Sequence, residues 1–119
     1  MKKLLIVDDE LDVCDFVKGF FEERDYIVFT ALDGEDAVRI VKKQRPDIIL
    51  LDIKMKRMNG IDALRKIREM DKTASVVMVT AVEDQDKMDA AYELGAKGYI
   101  TKPLVLEELE RTVYELSKT

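Results

Sequence analysis

The chain alternates between two hydrophobic patterns, and that alternation restricts its fold more than any other feature. Five short apolar runs fall at 4–7, 26–31, 47–51, 75–79 and 97–100, rich in Val, Ile and Leu and in places apolar at consecutive positions. Consecutive apolar residues mark strands covered on both faces, as in a parallel sheet. Between the runs the spacing is helical. Val13, Phe16, Val17, Phe20 and Phe21 recur at steps of three and four, a stripe repeated by Ala37, Ile40 and Val41 and by Ile61, Leu64 and Ile67. Met88, Ala91 and Leu94 form a weaker fourth helix with Gly95 in a C-cap position, and Leu106, Leu109, Val113 and Leu116 form a fifth. Asp33-Gly34, Asn59-Gly60 and Asp84 supply start signals for the second, third and fourth helices. Strict strand–helix alternation with short loops predicts a doubly wound α/β sandwich of five βα units. Its five parallel strands take the order 2-1-3-4-5.

The 119 residues fit one domain spanning 1–119, with no output module expected inside it. A chain of this size buries roughly two-thirds of its unfolded surface, so it needs neither disulfides nor structural zinc. The net charge of −5 argues against direct nucleic-acid binding, which requires a basic footprint. Histidine is absent, which excludes imidazole-dependent triads and histidine metal sites. The one cysteine, Cys14, cannot form an internal disulfide and reads as an inert packed thiol on the flank of the first helix. The opening Met1-Lys2-Lys3 resembles a signal peptide only briefly, because its apolar run stops after four residues at Asp8-Asp9-Glu10. No stretch approaches the roughly 20 apolar residues of a membrane span. A soluble, cytoplasmic chain with no membrane partner is therefore expected.

Ligand sites in doubly wound sheets lie beyond the carboxyl ends of the strands, where strand order reverses. In the predicted order that crevice falls between strands one and three. Asp8 and Asp9 follow strand one, Asp52 follows strand three, strand four ends at Thr80, and strand five runs into Thr101-Lys102-Pro103. Taken singly, each has a plain structural reading as a turn, loop carboxylate, strand-end hydroxyl or surface lysine. Jointly they converge on one edge. Three carboxylates about 5 Å apart repel by roughly 3 kcal/mol per pair at an effective dielectric near 20, so a cation, proton or lysine must relieve them. Oxygen ligands select a hard cation, Mg²⁺ with Mn²⁺ as a substitute, in the form used at phosphate sites. A carboxylate nucleophile at Asp52, a metal held by its neighbours, the Thr80 hydroxyl and the Lys102 ammonium form a complete set for phosphoryl transfer.

The segments Ile6-Val7-Asp8-Asp9-Glu10, Leu50-Leu51-Asp52-Ile53-Lys54-Met55, Met58-Asn59-Gly60, Val79-Thr80-Ala81 and Gly95-Ala96-Lys97-Gly98-Tyr99-Ile100-Thr101-Lys102-Pro103 carry a resemblance. Over essentially its full length the chain resembles a response-regulator receiver domain of two-component signalling, a flavodoxin-like fold. The resemblance implies Mg²⁺-dependent transfer of a phosphoryl group onto Asp52 from the phosphohistidine of a sensor histidine kinase or histidine phosphotransfer protein, or from a small phosphodonor. It implies a signalling switch with autocatalysed phosphotransfer and autodephosphorylation, not an enzyme turning over a substrate. Carried over, Asp9 is a direct metal ligand, Asp8 orders metal-bound water, and the Lys54 backbone carbonyl and Asp52 complete the set. Thr80 is the hydroxyl that moves onto the phosphoryl group, and Lys102 is its ionic partner. The Lys102–Pro103 peptide is expected to be cis. Tyr99 falls at the aromatic switch position, with core packing as its plain alternative. The readout is expected on the face of the fourth helix, fifth strand and fifth helix, around Tyr92, Tyr99 and Arg111. That face would serve an output partner or a phosphorylation-dependent homodimer.

The chain departs from the family in one loop. The family usually has proline four residues after the acceptor, where Lys56 stands, and its loss is expected to loosen loop 55–58. Lys54, Lys56 and Arg57 make that loop basic; its plain reading is a solvated loop. The sharper reading has Lys54 leaning over the phosphoryl group and Val82 offering no polar handle to an attacking water, so that phospho-Asp52 hydrolyses slowly. Three other classes compete. A flavin-mononucleotide binder of the same topology would have its phosphate repelled by Asp8-Asp9-Glu10. An aspartate-nucleophile phosphatase wants a second Asp where Lys54 stands. A phosphorylation-independent module of the same shape has no need of the intact acidic set.

Overall fold

The computed structural model describes residues 1–118. Ten elements alternate along them: β1 (Lys3–Val7), α1 (Leu11–Glu22), β2 (Ile27–Ala31), α2 (Gly34–Gln44), β3 (Ile48–Leu51), α3 (Gly60–Met70), β4 (Ser75–Thr80), α4 (Gln85–Glu93), β5 (Gly98–Thr101) and α5 (Leu106–Ser117). Every strand pairing is parallel and the order is β2-β1-β3-β4-β5, the doubly wound sheet that the alternation predicts. Strand β2 starts at Ile27 because Tyr26 is used by the turn: its amide donates to the Phe21 carbonyl (3.2 Å) and its hydroxyl pairs with that of Ser117 (2.8 Å).

Consecutive apolar residues in the strands serve opposite faces, since side chains alternate across a sheet. Leu5, Val7, Ile49, Leu51, Val76 and Met78 pack with Ala37, Val41, Ala63, Leu64, Ile67 and Ala91 of α2, α3 and α4. Leu4, Ile6, Ile48, Leu50, Val77 and Val79 pack with Cys14, Val17, Phe21, Leu109 and Val113 of α1 and α5. One member of the predicted α1 stripe does not reach this core: Phe16 is 59% exposed. At about 100° per residue the inward line of α1 runs through Cys14, Val17 and Phe21, and Phe16 falls well to its side. Among the described residues no helix is long and apolar enough to cross a membrane.

The start signals act as helix caps. Asp33 accepts from the Asp36 amide, Asn59 from Ile61 and Asp62, and Asp84 from Asp86 and Lys87. Helix α1 has no side-chain cap, which leaves Asp8 and Asp9 for other work. Helix α4 buries only Ala91, and a side chain from its neighbour holds its end. Arg68 of α3 donates to the carbonyls of Ala74 (2.7 Å), Gly95 (2.9 Å) and Leu94 (3.0 Å), while Gly95 supplies the left-handed turn at φ +91°. Cys14 is fully buried beneath the carboxyl end of β1, and its thiol donates to the Asp8 carbonyl at 3.4 Å. Burial, with the Asp8 charge adding to it, raises its pKa from 9.0 to about 11.

Arg68→Met should lower unfolding stability by about 2 kcal/mol, the scale of lost bonds from a charged donor. Urea denaturation reads this, with faster amide exchange at the end of α4; an unchanged midpoint would deny the clamp any stabilising role. For Cys14, the unfolded thiol ionises near pH 9 while the folded one stays protonated to about pH 11. Stability present below pH 9 is therefore lost as pH rises toward 11, by up to about 1.4 kcal/mol per unit. Cys14→Ala should show a flatter decline over that window, and parallel curves for the two proteins would remove Cys14 from the alkaline response.

Candidate functional site

The strand ladder carries the site residues to one place. Val7 pairs with Leu51 across β1 and β3, and the ladder continues one step as the Asp52 amide donates to the Val7 carbonyl (3.0 Å). Asp8 is tied in the same way to Ala31 (3.1 Å), and Lys102 to the Thr80 carbonyl (2.8 Å). Residues far apart in the chain thus leave the sheet side by side, at the point where strand order reverses.

Lys102 joins the two buried carboxylates. Its Nζ donates to Asp8 Oδ2 at 2.7 Å and to Asp52 Oδ2 at 3.1 Å, with Glu10 Oε1 further off at 3.9 Å. Asp8 and Asp52 are only 3% and 5% exposed. Each keeps its second oxygen on a backbone amide: Asp8 Oδ1 accepts from Glu10 (2.9 Å) and Asp52 Oδ1 from Ile53 (2.7 Å). Burial alone would lower the lysine pKa, but its bonds to Asp8 and Asp52 outweigh burial and hold it above the ordinary value. The ammonium therefore stays charged throughout the physiological range.

The remaining acidic groups face outward. Asp9 and Glu10 are exposed, and Asp8, Asp9 and Glu10 each bring a carboxylate oxygen within 4.8 Å of the others. Glu10 is a member of this cluster that the sequence reading left among the flanking residues, although the uninterrupted Asp8-Asp9-Glu10 run was the available signal. Asp52 joins the group through Lys102. Four carboxylates against one ammonium leave an excess of negative charge, with oxygen as the only donor atom, and that donor set fits a hard divalent cation such as Mg²⁺.

Thr80 is fully buried, and its hydroxyl oxygen accepts from the Val82 amide at 3.2 Å. The half-buried Tyr99 donates its hydroxyl to the Val82 carbonyl at 2.6 Å, so one residue is held from both sides. Burial raises the Tyr99 pKa and the Asp52 charge adds to it, which keeps the hydroxyl a donor. The Lys102–Pro103 peptide is cis. Lys54 lies exposed two residues past Asp52, Tyr92 is exposed on α4, and Arg111 is exposed on α5. The adjacent loop is anchored without a proline: Met55 and Met58 pack against the core, and Arg57 pairs with Asp33. Gly60 lets α3 begin directly against Asp52, because a methyl group there would overlap the Asp52 carbonyl oxygen.

Residues 4–114 match the family model of the response regulator receiver domain. Protein CcdB of Bacillus subtilis (strain 168) is 42% identical over 118 residues, covering 95% of this chain and 98% of that protein. The sporulation initiation phosphotransferase F of the same organism is 35% identical over 112 residues, covering 94% of this chain and 90% of its own. Among solved structures, the CheX-CheY-BeF3-Mg²⁺ complex from Borrelia burgdorferi contains a chain that superposes with a TM-score of 0.90 at 34% identity. The match covers 97% of this chain and 88% of that one. Receiver domains bind Mg²⁺ at an acidic pocket and interact with histidine kinases or phosphotransfer proteins. With the ordered sheet, the lysine-bridged aspartates and these matches together, the chain belongs to the response regulator receiver domains, the phosphorylation-activated switches of two-component signalling.

Proposed function

We propose that residues 1–119 act as one receiver domain whose phosphoacceptor is Asp52. The single observation that carries this reading is the Lys102 ammonium shared between two nearly buried carboxylates, Asp8 and Asp52. A carboxylate oxygen of Asp52 attacks the phosphorus of a phosphohistidine on a histidine kinase or a histidine phosphotransfer protein. The P–N bond breaks, the imidazole nitrogen leaves with the electron pair, and an O–P bond forms on Asp52. Asp8, Asp9, Asp52 and the Lys54 carbonyl would hold the cation, and Glu10 adds a further carboxylate to the cluster. Bound Mg²⁺, or Mn²⁺ in its place, supplies neutralisation of charge on the transferring oxygens. Lys102 remains as the ionic partner of the new phosphoryl group.

The same contacts supply a readout. The Thr80 hydroxyl, which accepts from the Val82 amide, turns its own hydrogen toward a phosphoryl oxygen, and Val82 is also the anchor of Tyr99. Phosphorylation thereby biases the β4–α4 loop and Tyr99 together, a shift between existing states. The face built from α4, β5 and α5, with Tyr92, Tyr99 and Arg111, then meets an output partner or a second phosphorylated copy in a homodimer. The chain acts in the cytoplasm, where its kinase's phosphohistidine is reached. Autodephosphorylation resets it: water attacks phosphorus, inorganic phosphate leaves, and the Asp52 carboxylate is restored. With Lys54, exposed two residues past Asp52, leaning over the phosphoryl group and no polar handle at Val82 for an attacking water, that reaction is slow.

Intact-mass analysis with acetyl phosphate and Mg²⁺ should add one phosphoryl group to the wild type and none to Asp52→Ala. A wild-type chain that gains no mass would overturn the assignment of Asp52. In the phosphorylated protein, Lys54→Asn and Val82→Glu should each shorten the phosphoryl lifetime by about tenfold, equivalent to about 1.4 kcal/mol of barrier. Lifetimes that stay the same or lengthen would remove both side chains from control of hydrolysis.

A further inference from the structure

The loop that follows Asp52 closes on itself. Its base is fixed where the Gly60 amide donates to the Ile53 carbonyl at 2.7 Å. Its apex is unusual: Arg57 (φ +54°) and Met58 (φ +113°) both lie in the left-handed region that L side chains seldom occupy. Neither residue is glycine or asparagine, so contacts elsewhere must hold them there. Arg57 reaches across to the start of α2, donating Nε at 3.0 Å and a terminal nitrogen at 2.5 Å to Asp33 Oδ2. Asp33 is itself fixed, since it is 8% exposed and its other oxygen caps α2 by accepting from Asp36 at 2.8 Å. Beside this pair, Gly34 has no side chain to block the Met58 carbonyl, which a methyl group would overlap.

We infer that the Arg57–Asp33 ion pair positions the acceptor loop, taking over the restraint that a proline at 56 would supply, and so sets how tightly the site holds a divalent cation. The inference rests on the proposed metal site at Asp8, Asp9, Asp52 and the Lys54 carbonyl, which stands on the same arch three residues before Arg57. Arg57 and Asp33 touch no reacting atom; they are positioning residues. Charge alone makes the opposite claim for one of them. Removing the Arg57 cation would by simple Coulomb attraction tighten Mg²⁺ binding, whereas removing the restraint weakens it.

Mg²⁺ titration of the unphosphorylated protein, followed through the amide resonances of 52–60, separates the two. Arg57→Met, Arg57→Gly and Asp33→Asn should each raise the Mg²⁺ Kd by about tenfold, the low end for outer-shell changes. The Arg57→Met/Asp33→Asn double variant should bind no more weakly than the worse single one, because both break one contact. Asparagine retains the α2 cap and glycine relieves the left-handed φ, so thermal midpoints should stay near wild type while the Kd moves. An Arg57→Met Kd that is unchanged or lower overturns the inference while leaving the receiver reading intact. A wild type that binds no Mg²⁺ overturns the metal site and the inference with it.

Discussion

Two carboxylates that would repel one another share a single ammonium, and the arrangement of the active edge depends on that pair of bonds. Lys102 donates to Asp8 and to Asp52 where both are nearly out of solvent. Without it, each Asp would be a buried charge with only one amide in compensation, a state that costs about 3–5 kcal/mol when one partner of a buried pair is removed. The amide bonds from Glu10 and Ile53 then fix which way each carboxylate turns. That compensation is incomplete: the carboxylates of Asp9 and Glu10 lie beside the pair, exposed to solvent, and leave the edge with an excess of negative charge.

The sheet makes this contact possible. Lys102 and Asp8 are 94 residues apart, and only the parallel register of β1, β3, β4 and β5 brings their backbones level. Ladder bonds continue past the strands into Asp8, Asp52 and Lys102, so the site residues inherit the rigidity of a sheet buried on both faces. Helix α4 is held differently. Its inward face offers Ala91 alone, its far end is clamped by Arg68, and its near end begins after the loop that Val82 ties to Thr80 and Tyr99. An element fastened by polar contacts more than by packing has a lower cost of local rearrangement, which suits α4 to the readout proposed above.

Much of this was legible from residue pattern because the pattern was forced by burial. Leu4–Val7 and Ile48–Leu51 can be apolar throughout only if both faces are covered, and that requirement alone fixes the doubly wound class. The caps at Asp33, Asn59 and Asp84 were legible because capping is a local bond between near neighbours. Phe16 was misread because apolar spacing counts faces without knowing where the partner lies, and the inward line of α1 runs through Cys14 instead. The bonds from Arg68 to α4 and from Arg57 to Asp33 were out of reach, since both join distant segments through long side chains that hydrophobic period does not constrain.

The basic loop after Asp52 shows how such a hidden contact alters interpretation. From composition, Lys54, Lys56 and Arg57 form one cationic patch on a loop that has lost its proline. In three dimensions they differ in kind. Lys54 and Lys56 are exposed, whereas Arg57 is committed to a fixed carboxylate on the neighbouring helix. One of the three charges is thus bound up in the geometry of the loop, and two remain for whatever approaches Asp52. On the inference above, an ion pair between segments supplies the restraint that a proline ring would build into the backbone. A restraint of that kind responds to ionic strength where a proline does not, because more than half of the Arg57 side chain is open to solvent. The Arg57–Asp33 pair is therefore more open to screening than the Lys102 bridge, whose side chains are mostly withdrawn from solvent.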